Sequence, residues 1–325
     1  MICIISKKHL LTQTLLSILR YYNKAMLNPK TIPMKKITFI VILLCVVLAA
    51  GAQKRPKAIV KQEKQLVGEF VTIPAGHYTE YIDDQDGKVI SKKEYTFSSF
   101  YMLSSEVTNK AYNTFLEDLK AQGRITDYEV ARVHEEHFKQ DTLPYFKHPA
   151  YALYPVVEVN YEGALLFCQW LNEKLGDSGY EYMLPTKAQW QYAAHGGYPL
   201  ATYSWGGPYL TNRNGYPMGN YRNVGDERIT MKDGVFTVLT DPFFNNLYGG
   251  RDMTFWIQQA LSFHPNPYGL YNMCGNVAEM VYGESVALGG SFADPGYDIR
   301  IQSEKPYTGP SPMIGFRVIA VPKNR

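Results

Sequence analysis

The stretch on which the fold turns is "YMLPTKAQWQYAAHGG", Tyr182–Gly197. Thr186 stands where a helix N-cap is needed, and Gln189 follows three residues later. That pair makes a capping box, in which threonine and glutamine side chains satisfy two of the N–H groups a helix start leaves without partners. Gly196-Gly197 closes the helix, because glycine enters the left-handed conformation at a C-terminus without a Cβ penalty.

Upstream, "YPVVEV" at Tyr154–Val159 reads as an apolar strand. Asn160 then caps a helix whose apolar face is Ala164, Phe167, Cys168, Leu171 and Leu175, stopped by Gly176. Residues 120–150 form a polar insert, with a helix expected in "DYEVARVHEEHFKQ". His134 and His137 flank Glu135 and Glu136 there, which invites a metal reading. The spacing is not H-E-x-x-H, and so charged a segment reads as a solvated helical face. Earlier still, "YTFSSFYMLSSEVT" predicts a strand running into a helix capped by Thr108, with Tyr112, Phe115, Leu116 and Leu119 at helical spacing. Order is expected to begin at "GEFVTIPAGHYTEY", from Gly68, where apolar residues alternate around Pro74-Ala75-Gly76. The polar, basic residues 53–67 before it read as a flexible leader.

Downstream the pattern changes. From 198 to 268 the chain is mostly Gly, Asn, Pro and aromatic residues with little periodicity, which predicts long ordered loops that ions or function must tie down. "YGLYNMCGNVAEM" and "SVALGGSF" follow, and "IGFRVIAV" is a closing strand.

Composition bounds the function. The 325 residues are 46% hydrophobic and carry a net charge of +3. Seven of the 33 basic residues, and no acidic one, fall in 1–52, so the remainder sets 26 basic against 30 acidic residues, a net of −4. Nucleic acid is therefore not expected as a partner. From Met34, "MKKITFIVILLCVVLAAGAQ" has the layout of a secretory signal: Lys35 and Lys36, an apolar run of Ile37–Leu48, and a small-residue cleavage site before Gln53. A run of about a dozen is short for a membrane span, which needs roughly 20 residues, so cleavage would leave no transmembrane anchor. Residues 1–33 read as an over-called start and 34–52 as the signal, giving a periplasmic or secreted protein. Cys168 and Cys274 would remain, either paired in an oxidising compartment or buried as free thiols.

These segments in this order, from "GEFVTIPAG" through "YSWGG", "GLYNMCGNVAEM" and "LGGSF" to "GFRVIA", resemble the sulfatase-modifying-factor family, whose type member is the formylglycine-generating enzyme. The resemblance covers residues 68–321. It implies an α+β fold: one loop-rich domain, an elaboration of the C-type lectin fold. Within the family, "DTLPYFKHPAYALYPVVEV" with "GGSFADPGYDIR" looks most like the gliding-motility and type IX secretion lipoproteins, although no lipobox cysteine is present.

The active enzymes of the family grip copper(I) with two cysteine thiolates, three and eight residues after the serine of "GGS". Ser291 is that serine here, so the positions fall on Asp294 and Ile299, and copper is not expected: Cu(I) wants soft sulfur, not a carboxylate and a hydrocarbon. The sulfoxide-synthase branch needs a histidine-bearing domain for which there is no room. Calcium is expected from the resemblance as a loop tie, taking six to eight oxygens. One ion would draw on Gly275 and Val277 carbonyls and the Glu279 carboxylate, where the alternative is a cap or a salt bridge. A second would use Asn220 and Tyr221, with Asp233 as its carboxylate.

Two further readings stay open. Ser291, Asp294, Asp298 and Arg300 are cleft candidates: the charged three supply acid/base machinery for a different enzyme, or simply close a salt-linked turn around Pro295-Gly296. Ser291 lies in "GGS" rather than G-x-S-x-G, so no serine hydrolase is implied. The aromatics Trp205, Phe243, Phe244, Tyr248 and Trp256, with the many tyrosines between 198 and 271, either pack the loops or line a peptide or glycan groove. The expectation is thus a catalytically inactive binding or scaffold protein of the bacterial envelope, with an envelope protein, peptide or glycan as partner.

Overall fold

The computed structural model describes residues 55–83, 89–134, 143–176, 178–222, 227–232, 235–240 and 256–323. The signal-like segment 34–52, together with His137, Asp233, Phe243, Phe244 and Tyr248, therefore lies outside the described residues.

The helix predicted at the capping box is α5 in chain order, Lys187–His195. The Gln189 N–H donates to Thr186 Oγ1 at 3.3 Å, and the Thr186 N–H donates to Gln189 Oε1 at 2.9 Å. Gly196 ends the helix at φ +58°, in the left-handed region where a Cβ is disfavoured. Two other predicted helices have the caps read from sequence. Helix α2 (Asn109–Ala121) starts where Thr108 accepts from the Ala111 N–H. Helix α4 (Tyr161–Leu175) starts where Asn160 accepts from the Gly163 N–H at 2.6 Å. The short α3 (Ile125–Ala131) occupies the front of the polar insert and ends before His134.

These helices pack on two small sheets. One has strand order β1–β4–β12–β5 (Phe70–Ile73, Phe100–Leu103, Ile319–Pro322, Tyr180–Met183) and is antiparallel throughout, with Ile319 facing both Met102 and Met183. The other runs β10–β9–β8–β11 (Glu304–Pro306, Val286–Leu288, Ala278–Met280, Ile314–Gly315), its last pair parallel. A separate hairpin, β2–β3 (Gly76–Asp83, Val89–Phe97), pairs Tyr78 with Tyr95. The α+β expectation is met.

Four readings need correction. The segment read as a flexible leader carries helix α1, Lys57–Leu66, whose Glu63 is buried and accepts from the Tyr182 hydroxyl at 2.6 Å. Charge along the strip hid one inward-facing stripe. "YPVVEV" is extended and buried but joins no sheet: Pro155 has no N–H to donate, and Glu158 sits at φ +59°, which breaks a ladder. The single closing strand is two, β11 and β12, in different sheets, because Phe316–Val318 leave the ladder to put Arg317 inside. The stretch read as loops from 198 to 268 contains a hairpin, β6–β7 (Glu227–Lys232, Val235–Thr240).

The cysteines answer the disulfide question. Both are free and buried, Cys168 within the core between α2 and α4 and Cys274 within the core around α5. Burial pushes both thiols up, Cys274 to about 12, so neither offers a thiolate at neutral pH.

The α1 contact yields a test. Tyr182→Phe removes one donor to a buried carboxylate and is expected to cost about 1–3 kcal/mol in chemical denaturation. A loss within error of zero would mean that α1 does not dock through Glu63.

Candidate functional site

The loop at Gly289–Arg300 is built by close backbone approach. A Cβ on Gly290, at φ +63°, would sit 2.5 Å from the Asp298 carbonyl oxygen, so only glycine lets the loop close on itself. Ser291 is fully buried at its base. Its N–H and its hydroxyl both donate to Asp294 Oδ2, at 2.8 and 2.6 Å. The same carboxylate takes the Lys305 ammonium at 2.7 Å on Oδ1 and 2.8 Å on Oδ2.

Of the four cleft candidates, then, the structure brings Ser291 and Asp294 together and leaves the others outside. Arg300 turns away: its Nε donates to the Tyr297 carbonyl at 2.7 Å, and its guanidinium lies 3.5 Å from the centre of the Tyr297 ring. Asp298 is exposed. Ile299, at the second copper position, is fully buried in the core around α5. The partner that matters is Lys305, which sequence reasoning missed. A lone lysine on strand β10 carries no signal of its own, and only the fold brings it to Asp294.

Chemically the arrangement is self-satisfied. A serine hydroxyl buried to 0% exposure is out of reach of a substrate, and the carboxylate that would activate it already accepts the Ser291 N–H and the Lys305 ammonium besides the hydroxyl. The turn is salt-linked, as one of the two readings had it, but through Lys305 and not Arg300.

Beneath the loop lies a buried ionic network. Arg317, fully buried, donates Nε to Glu279 Oε2 at 2.5 Å and Nη2 to Oε1 at 2.6 Å. Trp190 Nε1 adds a third donor to Glu279 at 2.8 Å. The remaining guanidinium donors go to the carbonyls of Leu103, Ser104 and Tyr271. Glu106, equally buried, accepts from Asn276 Nδ2 at 2.8 Å and Asn272 Nδ2 at 3.3 Å. Burial raises its pKa to about 8, with Arg317 opposing and Glu279 reinforcing the shift.

This network tests the calcium expectation. Both oxygens of Glu279 are occupied, so its carboxylate fits the salt-bridge alternative and not a free calcium ligand. Gly275 is held by its N–H to the Gly289 carbonyl, and Val277 is packed against Phe292 and Ile257. At the second position the Asn220 carbonyl accepts the Asn276 N–H at 2.7 Å, while Asn220 Oδ1 has no partner among the described residues. Tyr221 is buried, its hydroxyl reaching the Leu210 carbonyl at 3.4 Å. Asn220 Oδ1 is the one unpartnered side-chain oxygen at these positions among the described residues, and Asp233 lies outside them, so no step is routed through calcium.

Comparison with known proteins places this geometry. The chain matches the Sulfatase-modifying factor enzyme 1-like domain over residues 55–321. It is 26% identical to the mouse formylglycine-generating enzyme over 256 residues, 69% of this chain and 58% of that protein. It is 25% identical over 238 residues to the mouse protein named inactive C-alpha-formylglycine-generating enzyme 2, covering 65% and 67% of the two chains. Against the serine/threonine-protein kinase pkn1 of Chlamydia pneumoniae it is 24% identical, over 66% of this chain and only 27% of the kinase. Among solved structures, PvdO from Pseudomonas aeruginosa aligns with a TM-score of 0.51 at 21% identity, over 78% of this chain and 94% of that one, a likeness of fold. The chain belongs to the sulfatase-modifying-factor family.

Two stability tests follow from the network. Arg317→Met strands a buried Glu279 and is expected to cost about 3–5 kcal/mol, most of it returned when Glu279 is neutralised in the same chain. Glu106→Gln probes the raised carboxyl. The unfolded chain releases that proton near its ordinary value of 4.5 and the folded chain only near pH 8, so Glu106 takes stability away as pH rises between the two. Denaturation midpoints of Glu106→Gln are expected to be flatter across that window than those of the parent. An unchanged slope would place the titration elsewhere.

Proposed function

We propose that this member of the family is catalytically silent and works as a binding or scaffold module of the bacterial envelope. One observation carries the reading. The residues aligned by resemblance with the two copper-gripping cysteines are a carboxylate neutralised by Lys305 and an isoleucine sealed in the core. Soft-metal chemistry has no ligand there, and Cys168 and Cys274 sit in separate cores, too deeply protonated to stand in. A relative whose printed name is an inactive formylglycine-generating enzyme supports the same reading from the side of the family.

The rival reading, an acid/base enzyme on Asp294 and Arg300, loses both residues to local partners. For placement, the signal-like segment at Met34 supports export, and among the described residues no helix is long and apolar enough to cross a membrane. A link to gliding motility or type IX secretion rests on the likeness of 141–159 and 289–300 to that branch. Copurification with an outer-membrane assembly is its test.

Catalytic silence is checked directly. Purified chain loaded with copper(I) and given a CxPxR peptide with oxygen is expected to yield no aldehyde by mass spectrometry. Turnover above a copper-only control would overturn the reading.

A further inference from the structure

The cavity best equipped to hold a ligand lies away from the Ser291 loop. It opens between hairpin β2–β3 and the C-terminal end of α5, and it encloses about 300 Å³. That is the lower end of the range for small-molecule sites, room for one ring or two. Its walls are the rings of Tyr78, Tyr81, Tyr192 and Tyr268, with His195 behind and Leu200 at the rim.

Three properties of these walls choose the ligand. The first is charge: no Asp, Glu, Lys or Arg lines the cavity, and its second imidazole, His77, lies exposed with Nδ1 3.0 Å from the Thr96 hydroxyl, so the walls carry no permanent charge and fit a neutral occupant. The second is shape. Tyrosine rings give flat, amphipathic faces of the kind that stack on apolar C–H surfaces, and Tyr81, 57% exposed, offers such a face at the rim.

The third is hydrogen-bond polarity. His195 is only 5% exposed, and its Nδ1 lies 3.0 Å from the Tyr198 carbonyl, an acceptor. Nδ1 must therefore carry the proton, and Nε2 is left as a lone-pair acceptor. Burial lowers the pKa of the imidazole, which keeps it neutral at physiological pH. Nε2 has no hydrogen-bond partner among the described residues. Two of the tyrosine hydroxyls are already committed: that of Tyr78 donates to Gln191 Oε1 at 3.1 Å, and that of Tyr192 to the Pro74 carbonyl at 3.1 Å. Left without a partner on a ring that lines the cavity, Nε2 is open to an O–H or N–H from the ligand.

The wall is also held in place in advance. Lys187, at the first turn of α5, reaches back to Glu80 on β2 at 2.8 Å, and the Tyr95 hydroxyl donates to the same carboxylate at 2.8 Å. The hairpin is thereby fixed to the helix whose far end carries His195, which lowers the ordering cost of binding.

We propose that this cavity binds a neutral sugar, one ring stacking on Tyr81 and Tyr268 while a ring hydroxyl donates to His195 Nε2. A proline-rich peptide also favours tyrosine grooves, but proline has no N–H and would leave the imidazole acceptor unanswered. The inference goes beyond the silence of the Ser291 loop and stands whichever way the aldehyde assay falls.

The test uses the full chain and a panel of neutral hexoses, N-acetylhexosamines and their short oligomers, with saturation-transfer NMR and calorimetric titration. At least one is expected to bind, and uronic acids are expected to bind more weakly than their neutral counterparts. Tyr81→Ala, at an exposed rim, is expected to weaken binding about tenfold with no change in the unfolding midpoint. His195→Phe keeps the ring and deletes the acceptor, and is expected to cost about tenfold or more. Should His195→Phe not fold, Tyr81→Ala alone decides. The proposal is overturned if no neutral sugar binds, if binding is indifferent to Tyr81→Ala, or if a polyproline peptide takes the cavity in their place.

Discussion

A guanidinium with no exposure to solvent holds this fold together. Arg317 is delivered to the interior by the break between β11 and β12, and its donors reach strand β8, the end of β4 and the loop at Tyr271. Glu279 relays the tie to Trp190 on α5. Desolvating both ions costs several kcal/mol each, and only near-complete hydrogen bonding offsets that. Here each Glu279 oxygen and each Arg317 nitrogen finds a partner. Such a network contributes little net stability over an apolar replacement. Its effect is geometric, because any misplacement of one of these elements strands a charge. Two short sheets with few ladder bonds need a register device of that kind.

The loop at Gly289–Arg300 hangs from this network without belonging to it. The Gly275 N–H donates to the Gly289 carbonyl at 2.8 Å, and the Arg222 N–H to the Asp294 carbonyl at 2.9 Å. These two supports are backbone to backbone and do not depend on which side chains stand at positions 294 and 299. The separation lets a framework stay fixed while the residues carried on the loop vary. Whatever residues stand there must still satisfy their own polar atoms. Asp294 does so with Lys305 and Ser291, and Ile299 does so by having none.

What the sequence revealed divides along the range of the signals. Helices α2, α4 and α5 were legible because caps and stops act within four residues, and Thr108, Asn160, Thr186, Gly176 and Gly196 all sit where the pattern put them. The helix at 57–66 was not legible, since its one buried carboxylate makes sense only against Tyr182, 119 residues away. "YPVVEV" misled because apolar composition reports burial, not pairing. At the site the family resemblance, counted from the retained Ser291, named Asp294 and Ile299 as the two positions where cysteines would stand. The sequence could not find Lys305, and it joined Arg300 to Asp294 because neighbours in sequence are poor guides to partners in a tight loop.

The same distinction bears on the aromatic residues. By composition, the tyrosine-rich stretch after 198 looked like either loop packing or a ligand groove, and the structure divides the two roles by position. Tyr203 and Trp205 stack at 4.8 Å as part of the loop interior, and Tyr221 is buried in the same core. The rings that face a cavity come from three distant segments, at Tyr78 and Tyr81, Tyr192, and Tyr268, of which only the last belongs to that stretch. No local pattern marks them as a set. They converge because the Lys187–Glu80 pair draws a hairpin from the start of the domain onto the helix that ends at His195. A helix terminus leaves its last carbonyls without intrahelical partners, and the turn after Gly196 brings the Tyr198 carbonyl to His195 as well. The backbone that stops α5 thus also fixes which nitrogen of the imidazole bears the proton. Ring and lone pair are set by the same few residues that first decided the fold.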